Sequence, residues 1–342
     1  MNLKQLAQTL GLSQTTVSRA LNGYPEVAKE TRERVVAAAR RHGYRPNPSA
    51  LRLATGKAGM IGSVIPTGAS VDIDPHFIEF LSGLGDFARS RDLDLALSPT
   101  SREDEETTYR RLVANRQVDA IYLSSPRTGD SRIALLDELG IPFIVHGRAD
   151  DLDLGYPYLD IDNRQAFFDA ARLMIQMGHK RIALVNGNGD ETFAIHRARG
   201  TAEALAEIGV ELEPQLVSNG PMTEEKGYRS AHEFLTSRKP PTGILCSSLL
   251  LALGVVRAAN DLGLALPGDL SIISHDDVFP YLRPDSFPVP LSTTRSSIRS
   301  AGSRIGERLA ARIAGDETGP VGEVWPVELI VRGSVAPPAR SQ

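Results

Sequence analysis

A chain of 342 residues, 41% hydrophobic and 23% charged, suits two or three domains and can bury a sizeable core. Its single cysteine, Cys246, excludes an internal disulfide and fits a reducing compartment. No apolar run reaches the length of a membrane span, and the first thirty residues lack the apolar stretch of a secretory signal, so a cytoplasmic protein is expected.

The net charge of −4 is unevenly divided. Residues 1–57 carry 10 Lys and Arg against 3 Asp and Glu, a net of +7; the remainder carries 28 against 39, a net of −11. A basic head on an acidic body suits a head that meets a polyanion, although a solvated face can also be basic.

In the head, Asn2 followed by Gln5 has the spacing of a capping box, and Leu3, Leu6, Ala7 and Leu10 share one helical face. Gly11 ends this first helix. Ser13 can cap a second, residues 14–22, with Val17, Ala20 and Leu21 inward. A third runs from about 29 to 42, with Val35, Val36 and Ala39 inward and Gly43 as its terminator. Two short helices across a glycine turn with a supporting third form a helix-turn-helix. The outward residues of the second helix, Gln14, Thr15, Ser18 and Arg19, are polar groups at the spacing that reaches base edges in a major groove. A generic three-helix bundle with a polar surface would share that pattern. Residues 48–56 are apolar at Ala50, Leu51, Leu53 and Ala54 but too short for a stable free helix.

From residue 60 onward, short β-branched runs alternate with amphipathic helices, as in a parallel sheet wound with crossover helices. Strands are expected at 60–66, 93–98, 120–125 and 142–147, with helices at about 76–91, 103–116 and 131–139. A second series has strands at 158–162, 181–187, 243–248 and 270–277, with helices at 163–178 and 192–209. Ligands of such sheets bind beyond the carboxyl ends of the strands. There stand His76 and Phe77 after the first strand, His146 and Arg148 after the fourth, Arg197 in the helix at 192–209, and Asp276 at the end of the 270–277 run. A carboxylate with a guanidinium can clamp vicinal hydroxyls. The same residues have plainer readings: Phe77 as core, Arg197 as helix surface, and Asp276 with Asp277 as a helix cap.

The run LAQTLGLSQTTVSRALNGYPEVAKETRERVVAAARRHGYRPNPSALRLATGK resembles the headpiece of the LacI/GalR family of bacterial regulators. The matches lie at Val17 to Asn22, Val27, Thr31-Arg32, Val35, Ala38 and Gly43 to Asn47. The resemblance implies an all-α helix-turn-helix headpiece and an α/β core of two doubly wound lobes, periplasmic-binding-protein-like, type I. It implies that Gln14 and Thr15 read operator bases and Arg19 a base or phosphate, with Thr16, Asn22 and Tyr44 on the DNA backbone. It makes 47–57 a hinge helix whose Leu53 wedges into the minor groove. The expected domains are a headpiece (1–46), that hinge, a core (58–336) and a disordered tail (337–342). The core divides into lobe one, about 58–157 and 291–318, and lobe two, about 158–290 and 319–336, with three chain crossings.

The resemblance further places Phe77, Arg197 and Asp276 at effector-contact positions, with His76, His146 and Arg148 close by. It flags two departures: Ser248 stands where the family offers Asn or Asp, and Met222 where a stacking aromatic is usual. The opening of the chain and its His-Gly-Arg run look most like the subgroup of α-glucoside-operon repressors found in rhizobia, which implies an α-glucoside effector. The implied partners are operator DNA, a sugar and a second copy of the chain, with no cofactor, metal or membrane. Two other readings are a periplasmic-type sugar receptor and a sugar-modifying enzyme. Against the enzyme, Gly187-Asn188-Gly189 lacks a third glycine and is followed by Asp190-Glu191, which would repel a pyrophosphate. Neither a Gly-x-Ser-x-Gly elbow nor a metal-spaced Cys/His cluster occurs in the sequence.

Overall fold

The computed structural model describes residues 1–44, 56–66, 75–149, 155–317 and 319–339. Leu53, most of the expected hinge and the last residues of the expected tail lie outside them. The chain forms two compact units, Met1–Ala58 and Gly59–Gln342.

The first unit is built from three short helices. Helix α1 (Leu3–Leu10) opens with the anticipated capping box: the Asn2 side chain accepts from the Gln5 N–H, and Gln5 Oε1 accepts from the Asn2 N–H. Gly11 closes it at φ 65°, a conformation that costs glycine little. Ser13 caps α2 (Gln14–Leu21) by accepting from the Thr16 N–H. Helix α3 (Lys29–Arg41) has no side-chain cap. Arg32 and Arg34 instead secure it by donating to the carbonyls of Tyr24 and Leu10. Leu6, Ala7, Val17, Ala20, Val27, Val35 and Ala39 form the core. Leu21 and Val36, expected inward, are only half-buried.

The second unit holds two six-stranded sheets. The first half of the chain supplies β1 (Met60–Pro66), α4 (Pro75–Ser90), β2 (Asp94–Thr100), α5 (Glu105–Ala114), β3 (Ala120–Ser124), α6 (Ser131–Glu138), β4 (Phe143–His146) and β5 (Tyr158–Ile161). Next come α7 (Asn163–Gln176), β6 (Ile182–Val185), α8 (Thr192–Ala206), β7 (Val217–Ser218), α9 (Glu224–Leu235), β8 (Gly243–Cys246), α10 (Leu249–Asp261), β9 (Ser271–Asp276) and β10 (Ser292–Arg295). The chain closes with α11 (Ile298–Ala314), β11 (Gly322–Trp325) and β12 (Glu328–Ile330). Sheet one runs β11-β5-β4-β3-β1-β2 and is wholly parallel. Sheet two runs β12-β10-β9-β8-β6-β7, with β12 alone antiparallel. Apolar clusters cover both faces of each sheet, as parallel sheets require.

The chain passes between sheets three times: from β5 to α7, from β10 to α11, and from β11 to β12. The lobe boundaries differ from expectation. Strand β5 pairs with β4 in sheet one, not with lobe two. Residues 292–295 pair with β9 in sheet two, and the return to lobe one follows them as α11. Strand β11, expected in lobe two, joins β5 in sheet one. Each strand reads alike in either sheet, so its partner is decided by which edge is open when it arrives. Helices α9 and α10 and the short β7 occupy stretches that the periodicity left unassigned.

Helix pairs meet at glycines. A Cβ on Gly83 of α4 would lie 1.9 Å from the Arg299 carbonyl oxygen of α11, and one on Gly200 of α8 would lie 2.0 Å from that of Arg164 in α7. Only the missing side chain permits this backbone approach.

Candidate functional site

In the first unit, Leu3, Gln14, Thr15, Ser18, Arg19, Asn22 and Tyr24 line a shallow depression of about 340 Å³. The two residues expected to read bases, Gln14 and Thr15, are exposed, as α2 turns Val17 and Ala20 inward. Arg19 is held by Glu26 at 3.3 Å and lies 6.0 Å from the Tyr24 ring centre. The Thr16 hydroxyl is engaged with Ser13 Oγ at 2.8 Å, and Asn22 reaches Ser18 Oγ at 3.5 Å. Tyr44 packs half-buried on the core, and burial raises its phenol pKa. Leu3 and Tyr24 were missed as lining residues; nothing in their periodicity distinguishes them from core or loop positions.

In the second unit, the carboxyl ends of β1, β4, β6, β8 and β9 bring a polar cluster together between the lobes. At its centre is Asp277, just past β9, which the sequence reading treated only as a companion of Asp276. Its Oδ2 lies 3.0 Å from His76 Nε2 of lobe one, and its Oδ1 lies 3.5 Å from His275 Nε2 of lobe two. His76, His275 and Arg197 hold the Asp277 carboxyl well below the usual carboxylate range despite its burial. His275 is further engaged by Thr294 and Ser296 hydroxyls at 2.9 and 3.0 Å. Burial and the nearby Arg197 charge push its pKa down to about 3. His146 stacks on Phe80 at 5.0 Å, and burial lowers its pKa to about 4. At neutral pH these two imidazoles are uncharged.

Arg197 is buried, not a surface residue. It donates to Asn163 Oδ1 at 2.8 Å and to the Ser247 carbonyl at 2.6 Å, between the rings of Phe167 and Phe193, each 5.0 Å away. Burial lowers its pKa to about 10, against the pull of Asp277 and Asp160, so it remains a cation. Asn186, joined to Ser247 Oγ at 2.6 Å, completes the floor.

The expected clamp of Arg197 with Asp276 is altered. Asp276 Oδ1 accepts from the Val278 N–H at 2.8 Å, and its other oxygen lies 3.7 Å from Arg295. Strand alternation explains this: neighbouring residues at a strand end face opposite ways, so Asp276 secures the turn in which Val278 sits at φ 63° while Asp277 faces the cluster. Ser248 caps α10 by accepting from the Leu251 N–H. Phe77 packs half-buried on the core of lobe one, and Met222 on that of lobe two. Arg148 approaches Asp160 at 3.6 Å. An anion, a cation, neutral imidazoles and aromatic rings in one cluster suit a ligand with many hydroxyls and apolar C–H faces. Among the described residues, no group of His, Cys, Asp or Glu is arranged to hold a metal, and no helix is long and apolar enough to cross a membrane.

A helix-turn-helix unit with an exposed polar α2, followed by a two-lobed parallel-sheet unit with a polar cluster between its lobes, defines a DNA-binding regulator with a ligand-binding core. Residues 2–47 match the bacterial regulatory proteins of the lacI family, and residues 171–335 match the periplasmic binding protein-like domain. The chain belongs to the lacI family and is a transcriptional regulator. It is 55% identical over 342 residues to the HTH-type transcriptional regulator AglR of Rhizobium meliloti (strain 1021), spanning all of this chain and 96% of that protein. The regulator RafR of Escherichia coli is 38% identical over 258 residues, 75% of this chain and 76% of its own. Among solved structures, a transcriptional regulator CelR–cellobiose complex superposes with a TM-score of 0.71 at 27% identity, covering 98% of this chain and 99% of that one. The lac repressor dimer bound to operator and an anti-inducer shares the fold, with a TM-score of 0.82 at 22% identity and the same coverage.

Proposed function

We propose that the protein is a cytoplasmic homodimeric repressor that reads a pseudo-palindromic operator and is released from it by a sugar, an α-glucoside, held between the lobes. One α2 face, with Gln14 and Thr15 foremost, reads each half-site, and Leu53 of the hinge wedges into the minor groove at the centre. The observation that carries the ligand reading is the cluster around Asp277 and Arg197 of lobe two, where opposite charges and aromatic rings stand together and His76 of lobe one meets Asp277 at 3.0 Å. A similar regulator in complex with cellobiose supports a saccharide as the ligand class. The fold hosts enzymes too, but the named relatives are transcriptional regulators, and we assign no turnover to this chain.

A thermal-shift screen of mono- and disaccharides tests the reading. A ligand at a hundredfold its Kd stabilises the native state by about 2.7 kcal/mol, a rise of several degrees in Tm. Maltose, sucrose or trehalose should produce it, intact sugar should be recovered afterwards, and cellobiose should not substitute. A panel in which no saccharide moves Tm would overturn the ligand assignment.

A further inference from the structure

Besides the His76–Asp277 contact, the lobes touch at a second place that no ligand-reading residue explains. The acidic Asp190-Glu191 pair that spoils the nucleotide-binding pattern lies there, between β6 and α8 of lobe two. Facing it are the loops after β2 and β3 in lobe one. Arg102 Nη1 donates to Asp190 Oδ2 at 2.9 Å, and Arg127 Nε lies 3.9 Å from the same oxygen. Arg127 and Glu191 form an antiparallel β-bridge. The Thr192 N–H and hydroxyl donate to the Pro126 carbonyl at 3.0 and 3.2 Å.

An exposed ion pair alone holds little, and Arg102 and Asp190 are 55% and 47% exposed. The contact is stronger than that because its lobe-one half is set in advance. Buried Glu105 binds both Arg127, at 3.1 Å, and Arg132, at 2.8 Å, while Asp130 accepts from the Arg127 N–H at 3.0 Å. Pro126 lies against Gly147, where a Cβ would come within 2.7 Å, and Ser125 is held at φ 48°. A rigid strap thus meets the first turn of the helix that carries Arg197. Both halves follow the carboxyl ends of strands, the side on which ligands of such sheets enter.

We propose that Arg102, Pro126 and Arg127 of lobe one and Asp190, Glu191 and Thr192 of lobe two form a clasp between the lobes beside the Asp277 cluster, holding the lobes closed. As a gate on ligand entry and exit it rests on the reading of that cluster as the ligand site. The closure itself does not, because it is measurable without ligand or DNA.

The test uses the full chain with spin labels at Ala134→Cys and Glu233→Cys, exposed positions on α6 and α9, one in each lobe. Native Cys246 is buried and takes no label. Pulsed dipolar spectroscopy reads the interlobe distance without sugar or operator. Arg102→Glu and Asp190→Lys should each shift the distribution to longer distances while leaving circular dichroism unchanged. The charge-swapped double variant should return it toward wild type. Either single variant keeping the wild-type distribution, or a double variant as open as the worse single, would sink the clasp. A saccharide panel without a binder would sink the ligand reading and leave this result standing.

Discussion

At the residue scale, two adjacent carboxylates do different work. Asp277 faces a cation and two imidazoles, whereas Asp276 accepts from the Val278 N–H in a left-handed turn. Asp277→Asn should therefore weaken saccharide binding by roughly tenfold or more, the loss of a charge-assisted hydrogen bond worth about 1.5–3 kcal/mol. Asp276→Ala should instead lower the apo stability by about 1–2 kcal/mol and leave affinity nearly unchanged, because it removes a turn contact. Isothermal titration beside apo melting curves separates the two. Equal losses of affinity in both variants would show that Asp276 also contacts ligand.

The same cluster sets a pH dependence. His275 and His146 stay neutral in the native state down to about pH 3 and 4, while in the unfolded chain they take up protons near 6.5. The unfolded state thus binds more protons below pH 6.5, so stability falls as pH falls, by up to about 1.4 kcal/mol per pH unit for buried His275. Asp277, whose pKa is also depressed, adds a loss of the same sign below about pH 4. Melting curves from pH 7.5 to 4.5 should show the decline, and His275→Gln should flatten it. A stability that rises on acidification would contradict the assignment of neutral imidazoles.

At the scale of elements, α2 is short and stands by virtue of its Ser13 cap and of Val17 and Ala20 packed inward. That packing leaves Gln14 and Thr15 outward and free to contact bases. Replacing both should alter which operator sequences are selected, at about 1–3 kcal/mol per lost base contact. In vitro selection with wild type and double variant reads this directly; an unchanged consensus would rule out α2 as the reader. The element pattern was largely legible beforehand, because hydrophobic period and caps are local. Strands β1, β3 and β4 and helices α4, α6 and α7 lie within a residue or two of where periodicity puts them. Helix α10 escaped notice because it is apolar on nearly every face, with no polar stripe to mark its period.

At the scale of the whole molecule, a regulator of this kind works through linkage. If saccharide lowers operator affinity by some factor, operator must lower saccharide affinity by the same factor, with a coupling of about 1–3 kcal/mol. Titrating saccharide with and without operator duplex should give Kd values whose ratio matches the operator ratio. Mismatched ratios would mean that a further equilibrium, such as dimer dissociation, intervenes.

The sequence by itself determined the helix-turn-helix, the face of α2 that is exposed, the alternating α/β character of the core and the family to which the chain belongs. These follow from capping residues, a period of 3.6 or 2, and an ordered run of matched residues, all of which are local. Tertiary structure alone decided which sheet β5, β10 and β11 join, since a β-branched run pairs equally well with any open edge. It also decided that Asp277, not Asp276, faces the cluster that holds Arg197. That choice depends on the side from which β9 is covered, which is set by residues such as His76, 201 positions away in the chain.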